Sequence, residues 1–173
     1  MDSENKLRPI LVTGSSGYIG RYLTQYLKDC GNQVVGLGRK DCDITDVERI
    51  QKIVEQIYPR AIYHLAGITG VEESWKNPNE FYRVNVLGVQ RVLEACRTVD
   101  ARLIFISAYL YDGGAPTPVD EESRINPMNP YAHTKWLGEN ICQFFHRHYN
   151  VRCIIARPFN VYGGQQSNRF IIP

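Results

Sequence analysis

The stretch Ile10-Leu11-Val12-Thr13-Gly14-Ser15-Ser16-Gly17-Tyr18-Ile19-Gly20 constrains the fold more than any other part of the chain. A short run dominated by β-branched residues reads as a strand, and the glycines that follow read as a tight turn into a helix that opens after Gly17. A turn of this kind lets backbone approach an anion closely. The unpaired N–H groups and positive dipole end of the following helix attract that anion. The spacing is G-x-x-G-x-x-G and not the G-x-G-x-x-G of the commonest dinucleotide fingerprint, so the glycines alone are equally consistent with a structural turn. Their place at the first strand of an alternating pattern favours a dinucleotide pyrophosphate.

That alternation continues along the chain. Strands are expected at 10–13, 33–37, 61–65, 102–107 and 152–157, each mostly apolar on both faces, as strands covered by helices on two sides must be. Four helical segments lie between them. The first runs to Asp29 and is closed by Gly31. The second begins at Thr45, where Thr45 and Glu48 form a capping box before Val47, Ile50, Val54 and Ile57 recur at helical spacing. The third starts at Asn77-Pro78 and reaches about Thr98, and the fourth runs from Asn129-Pro130 to about Tyr149. This predicts an α/β fold with a doubly wound parallel sheet of Rossmann type. The connection from Ala108 to Asn129 holds Gly113, Gly114, Pro116, Pro118 and Pro127, and is long enough to be functional.

Composition narrows the class further. With 173 residues, 43% hydrophobic and 22% charged, the chain can bury one substantial core, which excludes disordered, collagen-like and coiled-coil readings. A net charge of +2 with scattered basic residues gives no case for nucleic acid or a membrane surface. The five cysteines Cys30, Cys42, Cys96, Cys142 and Cys153 never adopt a C-x-x-C spacing, so neither a zinc site nor a disulfide framework is expected, and a reducing cytoplasm fits best. The charged start at Met1–Arg8 lacks the apolar core of a signal peptide, and the longest apolar-rich run, 103–111, is too short to span a bilayer. His146 and His148 point to different helix faces, and His64 and His133 are distant in sequence, so no metal site is expected. Trp75, Phe81 and Tyr82 read as core or subunit contact.

Where an acidic residue commonly ends the second strand to hold the ribose 2′-hydroxyl of NAD, this chain has Gly38-Arg39-Lys40. The Arg39 guanidinium suits a 2′-phosphate and points to NADP. In the alternative, Arg39 is a solvated charge and Asp41 or Asp43 reaches the ribose, which leaves NAD possible. Tyr131 and Lys135 are four apart on one helix face, where an ammonium can lower the pKa of a phenol toward the working range. Alone they are equally an ordinary helix-surface pair. Ser107 ends the fourth strand, at the edge where open parallel sheets bind ligands, and its hydroxyl can bond a substrate carbonyl oxygen or simply form a turn.

Taken with these residues, the stretches TGSSGYIG (13–20), DITD (43–46), YHLAG (63–67), ESWKNP (73–78), RVNVLG (83–88), FISAYLYDG (105–113), NPYAHTK (129–135) and RPFNVYGGQQSNRFIIP (157–173) resemble the extended short-chain dehydrogenases/reductases that act on nucleotide sugars, the NAD-dependent epimerase/dehydratase family. The resemblance implies a catalytic Ser107, Tyr131 and Lys135, with Lys135 also on the nicotinamide ribose. It implies a cofactor site of Gly14, Ser16, Gly17, Tyr18, Ile19, Gly20 and Arg39, with Asp43 and Ile44 at the adenine and Leu65, Ala66 and Gly67 along the cofactor. Asn85 supports the active-site helix, Pro158 faces the nicotinamide, and Asn160 touches the sugar nucleotide together with Ser107 and Tyr131. ESWKNP and the 157–173 stretch look most like GDP-4-keto-6-deoxy-mannose reductases, and SAYLYDG like dTDP-4-keto-rhamnose reductases. The related dehydratases carry an acid shortly after the catalytic Ser or Thr, where this chain has Ala108 and Tyr109. NAD-dependent 4-epimerases and a non-catalytic cofactor-binding module are the alternatives. On this resemblance residues 1–159 form the cofactor domain, 160–173 begin a substrate domain that would continue much further, and the protein dimerises through its third and fourth helices.

Overall fold

The computed structural model describes residues 8–111, 113–114, 117–164 and 166. Five parallel strands, β1 (Ile10–Thr13), β2 (Val34–Leu37), β3 (Ala61–His64), β4 (Arg102–Ile106) and β5 (Cys153–Ala156), form one sheet in the order β2-β1-β3-β4-β5. Chain order reverses between β1 and β3, so this is the doubly wound arrangement expected from the alternation, with its switch point beside the glycine turn. The strands agree with the sequence pattern to within a residue at each end. Their burial explains why that pattern reads as apolar on both faces. Leu11, Ile62, Leu103 and Phe105 enter the main core, while Ile10 and Val12 turn to the opposite face.

Helix α1 (Tyr18–Asp29) covers that second face through Leu23 and Leu27. Gly31, at φ +80°, closes it and donates its N–H to the Lys28 carbonyl. The main core is covered by α2 (Val47–Ile57), α5 (Gly88–Val99) and α6 (Pro130–Tyr149), and the short helices α3 (Val71–Lys76) and α4 (Pro78–Tyr82) lie between α2 and α5 in the chain. Helix α5 contributes Val89, Val92, Leu93, Ala95, Cys96 and Val99 to that core, a stripe at three- and four-residue spacing.

Three local expectations are corrected. Helix α2 starts at Val47 and is capped by Asp46, whose carboxylate accepts the Arg49 N–H at 3.0 Å. Thr45 does not cap it, because both its N–H and hydroxyl are bound by Asp43 Oδ1 at 2.9 and 2.8 Å; a carboxylate two residues upstream captures the threonine before it can serve the helix. The expected helix from Asn77 to about Thr98 is interrupted: α4 runs into a π turn at Arg83–Leu87 before α5 begins. Asn77 supplies no side-chain cap, since its amide donates to the Glu73 carboxylate. Helix α3 has no apolar period to announce it, and Ser74 is its buried residue.

Asn129 caps α6 as expected, accepting the Ala132 N–H at 2.8 Å. The 108–129 connection is tied back by an isolated bridge between Tyr111 and Ile125, and Leu110 packs against Ala108 and Ala132; residues 112, 115 and 116 of that connection lie outside the described residues. The aromatic trio divides: Phe81 is buried, Tyr82 is at the surface, and Trp75 is 63% exposed.

Candidate active site

Because all five strands are parallel, their carboxyl ends share one edge, and the turns that leave it carry most of the singled-out residues, while Tyr18, Ile19, Gly20, Tyr131 and Lys135 lie on helices and Asn85 in the π turn. At β1, Gly14 has φ +72°, and a Cβ there would sit 2.6 Å from the Ala66 nitrogen, so the glycine turn packs directly on the turn after β3. A Cβ on Gly20 would collide with the Gly14 carbonyl and lie 2.8 Å from Ser15 Cα. Two of the three glycines are thus demanded by the protein's own backbone. Gly17 is different: it is exposed, it is the N-cap of α1, and it provides no side-chain cap, while the first turn holds no acidic residue. The N–H groups of Tyr18, Ile19 and Gly20 therefore belong to a helix end open to an anion. Ser16 is exposed beside them.

Lys135 anchors the other end of the edge. Its side chain is buried, its Nζ donates to the Ile106 carbonyl at 2.6 Å, and it stands 4.9 Å above the Phe105 ring. A Cβ on Gly67 would lie 2.9 Å from Asn85 Oδ1 and 3.9 Å from Lys135 Nζ, so only a bare backbone fits there. Asn85, in the π turn, accepts from the Ile68 N–H and donates to the Ile68 carbonyl and to Thr134 Oγ1 on α6. Ser107 is 3% exposed, and among the described residues its hydroxyl has no hydrogen-bond partner. A buried hydroxyl left without a partner at a strand end, one residue past the carbonyl that holds a buried ammonium, is a site able to take a ligand oxygen. These residues, with the open helix end, fit a nicotinamide dinucleotide.

The electrostatics differ from expectation at Tyr131. Its phenol packs edge-on to Phe81 and is pushed above its ordinary pKa by burial, with no lowering from Lys135, whose hydrogen bond goes to Ile106. Burial lowers Lys135 itself to about 8, against the opposing influence of Cys142 and Glu139. His64, stacked on Phe105, shares a 2.8 Å hydrogen bond with Thr13 Oγ1 and is held down to about 3 by burial and then by the Lys135 charge. It is a neutral spacer and not an acid or base. Pro158 and the exposed Asn160 follow β5 on the same edge.

At the β2 end the groups are exposed and charged. Gly38 donates its N–H to Asp41 Oδ2 at 2.7 Å, and a Cβ at position 38 would lie 3.0 Å from Ser16 Oγ. A carboxylate therefore does reach the end of β2, from three residues downstream. Asp43 is occupied by Thr45 and, at 3.4 Å, by Arg83, and its carboxyl is held below the usual range chiefly by the Thr45 hydrogen bonds. Arg39 is exposed and lies close enough to Glu80 to lower its carboxyl, after the larger effect of Arg83. Ile44 turns its side chain into the core beneath Gly88. A cleft of about 510 Å³ opens beside Gly67, lined by Glu73, Asn77, Glu80 and Phe81 among others. No metal-binding cluster occurs among the described residues.

Sequence reasoning missed one pair. Glu139, 1% exposed and one helical turn beyond Lys135, accepts two hydrogen bonds from Arg157 at 2.9 and 2.7 Å, and Arg157 also donates to Tyr111 Oη and the Glu121 carbonyl. The i, i+4 spacing from Lys135 was the available signal; the partner, 18 residues on, was not visible. The pair fastens α6, β5 and the long connection together. Glu139→Gln is expected to move the Lys135 pKa further below about 8, read by lysine ¹³C NMR titration, because the carboxylate opposes the burial penalty. It is also expected to cost roughly 3 kcal/mol of stability by leaving Arg157 unpaired. An unmoved Lys135 titration would show that Glu139 does not act on it.

Comparison with known proteins places this geometry. The NAD dependent epimerase/dehydratase family matches residues 10–172. GDP-6-deoxy-D-mannose reductase of Pseudomonas aeruginosa is 31% identical over 94% of this chain and 55% of its own length. The structure of dTDP-4-dehydrorhamnose reductase from Bacillus anthracis in complex with NADP superposes with a TM-score of 0.85 at 29% identity, covering 93% of this chain and 56% of that one. UDP-glucose 4-epimerase from Brucella ovis in complex with NAD gives 0.85 at 30% identity, covering 90% and 53%. The chain spans about half the length of the curated relatives it matches. With its family match running from the first strand to residue 172 over a doubly wound sheet, the chain belongs to the NAD dependent epimerase/dehydratase family of extended short-chain dehydrogenases/reductases.

Proposed function

We propose that residues 1–159 form the cofactor-binding part of an NADP(H)-dependent oxidoreductase that reduces the 4-keto group of a nucleotide-linked 6-deoxysugar, with residues from 160 onward beginning the substrate-binding part. The observation that supports this reading is the buried hydroxyl of Ser107, which has no partner among the described residues, stands one residue past the Ile106 carbonyl that holds Lys135, and is followed by Ala108 and Tyr109 instead of a carboxylate. A carbonyl oxygen can be received there, but no acid stands next to it for the proton removal that dehydration requires.

The bound nicotinamide supplies the hydride; the chain supplies everything else. Ser107 donates its free hydroxyl to the carbonyl oxygen and fixes its position. Tyr131 is the proton donor to that oxygen, and its raised pKa keeps the phenol protonated until the transfer. Lys135, one turn further along α6 and held by the Ile106 carbonyl, offers its ammonium to the nicotinamide ribose. Gly14, Gly17 and the N-terminus of α1 hold the pyrophosphate, and Pro158 and Asn160 line the nicotinamide and sugar side. Tyr131→Phe is expected to lower turnover of a nucleotide-linked 4-keto-6-deoxysugar by at least about 100-fold while leaving cofactor affinity nearly unchanged. Undiminished turnover would remove Tyr131 from that role.

Arg39 supports NADP, whereas the Asp41 carboxylate at Gly38 supports the second reading, an NAD-dependent nucleotide-sugar 4-epimerase. Parallel fluorescence titrations with NADPH and NADH separate the two. Tighter NADPH binding, lost in Arg39→Ala, is the expected result; a preference for NADH that Asp41→Ala removes would transfer the assignment to the epimerase.

We also propose that the protein is a homodimer through α5 and α6. A cleft of about 430 Å³ runs between them, lined by Val86, Gln90, Leu137, Ile141 and Phe144, and Phe144 is 48% exposed. Sedimentation is expected to show a dimer that Phe144→Glu converts to monomer; a monomeric parent would refute this.

A further inference from the structure

The segment that follows β5 crosses the molecule at the carboxyl edge of the sheet. It leaves β5 at Arg157, and Gly163 and Gly164 lie against the first turns of α1, the helix that follows β1. In the strand order β2-β1-β3-β4-β5, β5 and β1 are three strand spacings apart, about 14 Å. Residues 157–163 can span at most about 25 Å, enough for a route over the ends of β4 and β3 and too short for one around the helix layers. Those strand ends lead into Ser107 and into Leu65, Ala66 and Gly67.

The two ends of this segment are held differently. At β5, Arg157 donates two hydrogen bonds to the buried Glu139 carboxylate, and Phe159 packs edge-on to Tyr109 with ring centroids 5.0 Å apart. At α1, the Tyr22 hydroxyl donates to the Gly164 carbonyl at 2.7 Å, and Tyr22 is 51% exposed. Tyr18, edge-on to Tyr22 at 5.5 Å, sets its hydroxyl where a Cβ on Gly163 would come within 2.7 Å, and Gly163 has φ +150°, so both space and backbone demand glycine there. Between the ends Asn160, Val161 and Tyr162 are exposed. A bidentate charged pair against a buried carboxylate outlasts one neutral hydrogen bond at the surface, so the α1 end is the one that opens.

We propose that residues 157–164 are a strap over the dinucleotide site and that Tyr22 is its latch, so that a dinucleotide enters and leaves when the bond from Tyr22 to the Gly164 carbonyl breaks. This rests on the cofactor reading above, which puts the pyrophosphate at the N-terminus of α1 and the nicotinamide near Ser107 and Lys135. A ligand stretched between those places lies beneath the path of the strap. The latch is made by protein groups alone, so it resists entry and exit alike. It sets the rates in both directions and leaves the equilibrium nearly unchanged, whereas loss of a residue that touches the cofactor speeds release alone.

Tyr22→Phe keeps the ring and removes the hydroxyl. In stopped-flow mixing with NADPH, followed by nucleotide fluorescence, association and dissociation are both expected to quicken by about fivefold, with Kd changed by less than about twofold. In the chain without nucleotide, chymotrypsin cleavage after Phe159 or Tyr162 is expected to quicken by a similar factor, because cleavage follows the population of the opened segment. Gly163→Ala, which forces the strap away from Tyr18, is expected to act in the same direction, and Tyr26→Phe, one turn beyond Tyr22 on α1, to match the parent. Faster dissociation alone would make Tyr22 a cofactor contact and not a latch, and unchanged rates or unchanged cleavage would overturn the proposal. A parent chain that binds neither NADPH nor NADH would instead overturn the cofactor reading, and the gating role of the strap with it.

Discussion

A buried ammonium is the constraint on which the rest of this site depends. Lys135 is 7% exposed, and an isolated charge at that depth is costly unless the fold supplies partners. The partners it finds dictate much around it. The Ile106 carbonyl is available because β4 ends there, while the next residue, Ser107, sends its N–H to Ala156 on β5. The Phe105 ring offers its face, and the same ring also fills the space opposite Gly138, where a Cβ would approach its Cζ to 2.6 Å. Glu139 adds the opposite charge one turn away, and because that carboxylate is itself buried it requires Arg157. One cation inside the sheet edge thus accounts for a glycine, an aromatic ring and an ion pair that ties three segments together.

The parallel sheet makes this concentration possible. Five carboxyl ends at one edge let residues from Gly14 to Asn160 converge without any of them being neighbours in sequence. Close packing follows. Gly14 against Ala66 and Gly20 against Gly14 bring the first and third turns into backbone contact, so the helix end of α1 is presented at a fixed place and cannot drift. The π turn at Arg83–Leu87 serves the same end from the helix layer, since it delivers Asn85 between the Ile68 backbone and Thr134.

What could be read from the sequence divides by range. Strands, the glycine turn, the Asn129 cap and the Tyr131/Lys135 spacing are local, and each is set by propensity or period within a few residues. The Thr45 cap misled because two carboxylates, Asp43 and Asp46, compete within the same four residues, and local rules do not rank them. Helix α3 was hidden because VEESWK has one buried residue and therefore no apolar stripe. The Glu139–Arg157 pair depends on α6 packing beside β5, which no pattern within either segment announces. Even at Tyr131 the spacing was legible while its electrostatic state was not, for the direction of a pKa shift follows burial, and burial is tertiary.

The two ends of the ligand edge differ in kind, and this bears on how such a protein changes. At the Ser107 end Ser107, His64, Asn85, Lys135 and Glu139 are all buried, and burial holds both His64 and Lys135 well below their ordinary pKa values. A substitution there disturbs a coupled set. At the β2 end Arg39, Asp41, Asp43, Glu80 and Arg83 lie at or near the surface, where solvent and salt weaken each interaction and side chains can move independently. In the function we propose, discrimination between phosphate and hydroxyl at the ribose is built from weakly coupled parts, and the chemistry from strongly coupled ones. Relatives that share this fold but are solved with NADP in one case and NAD in another are what such a division permits, because the exposed end can be rewritten without touching the buried one.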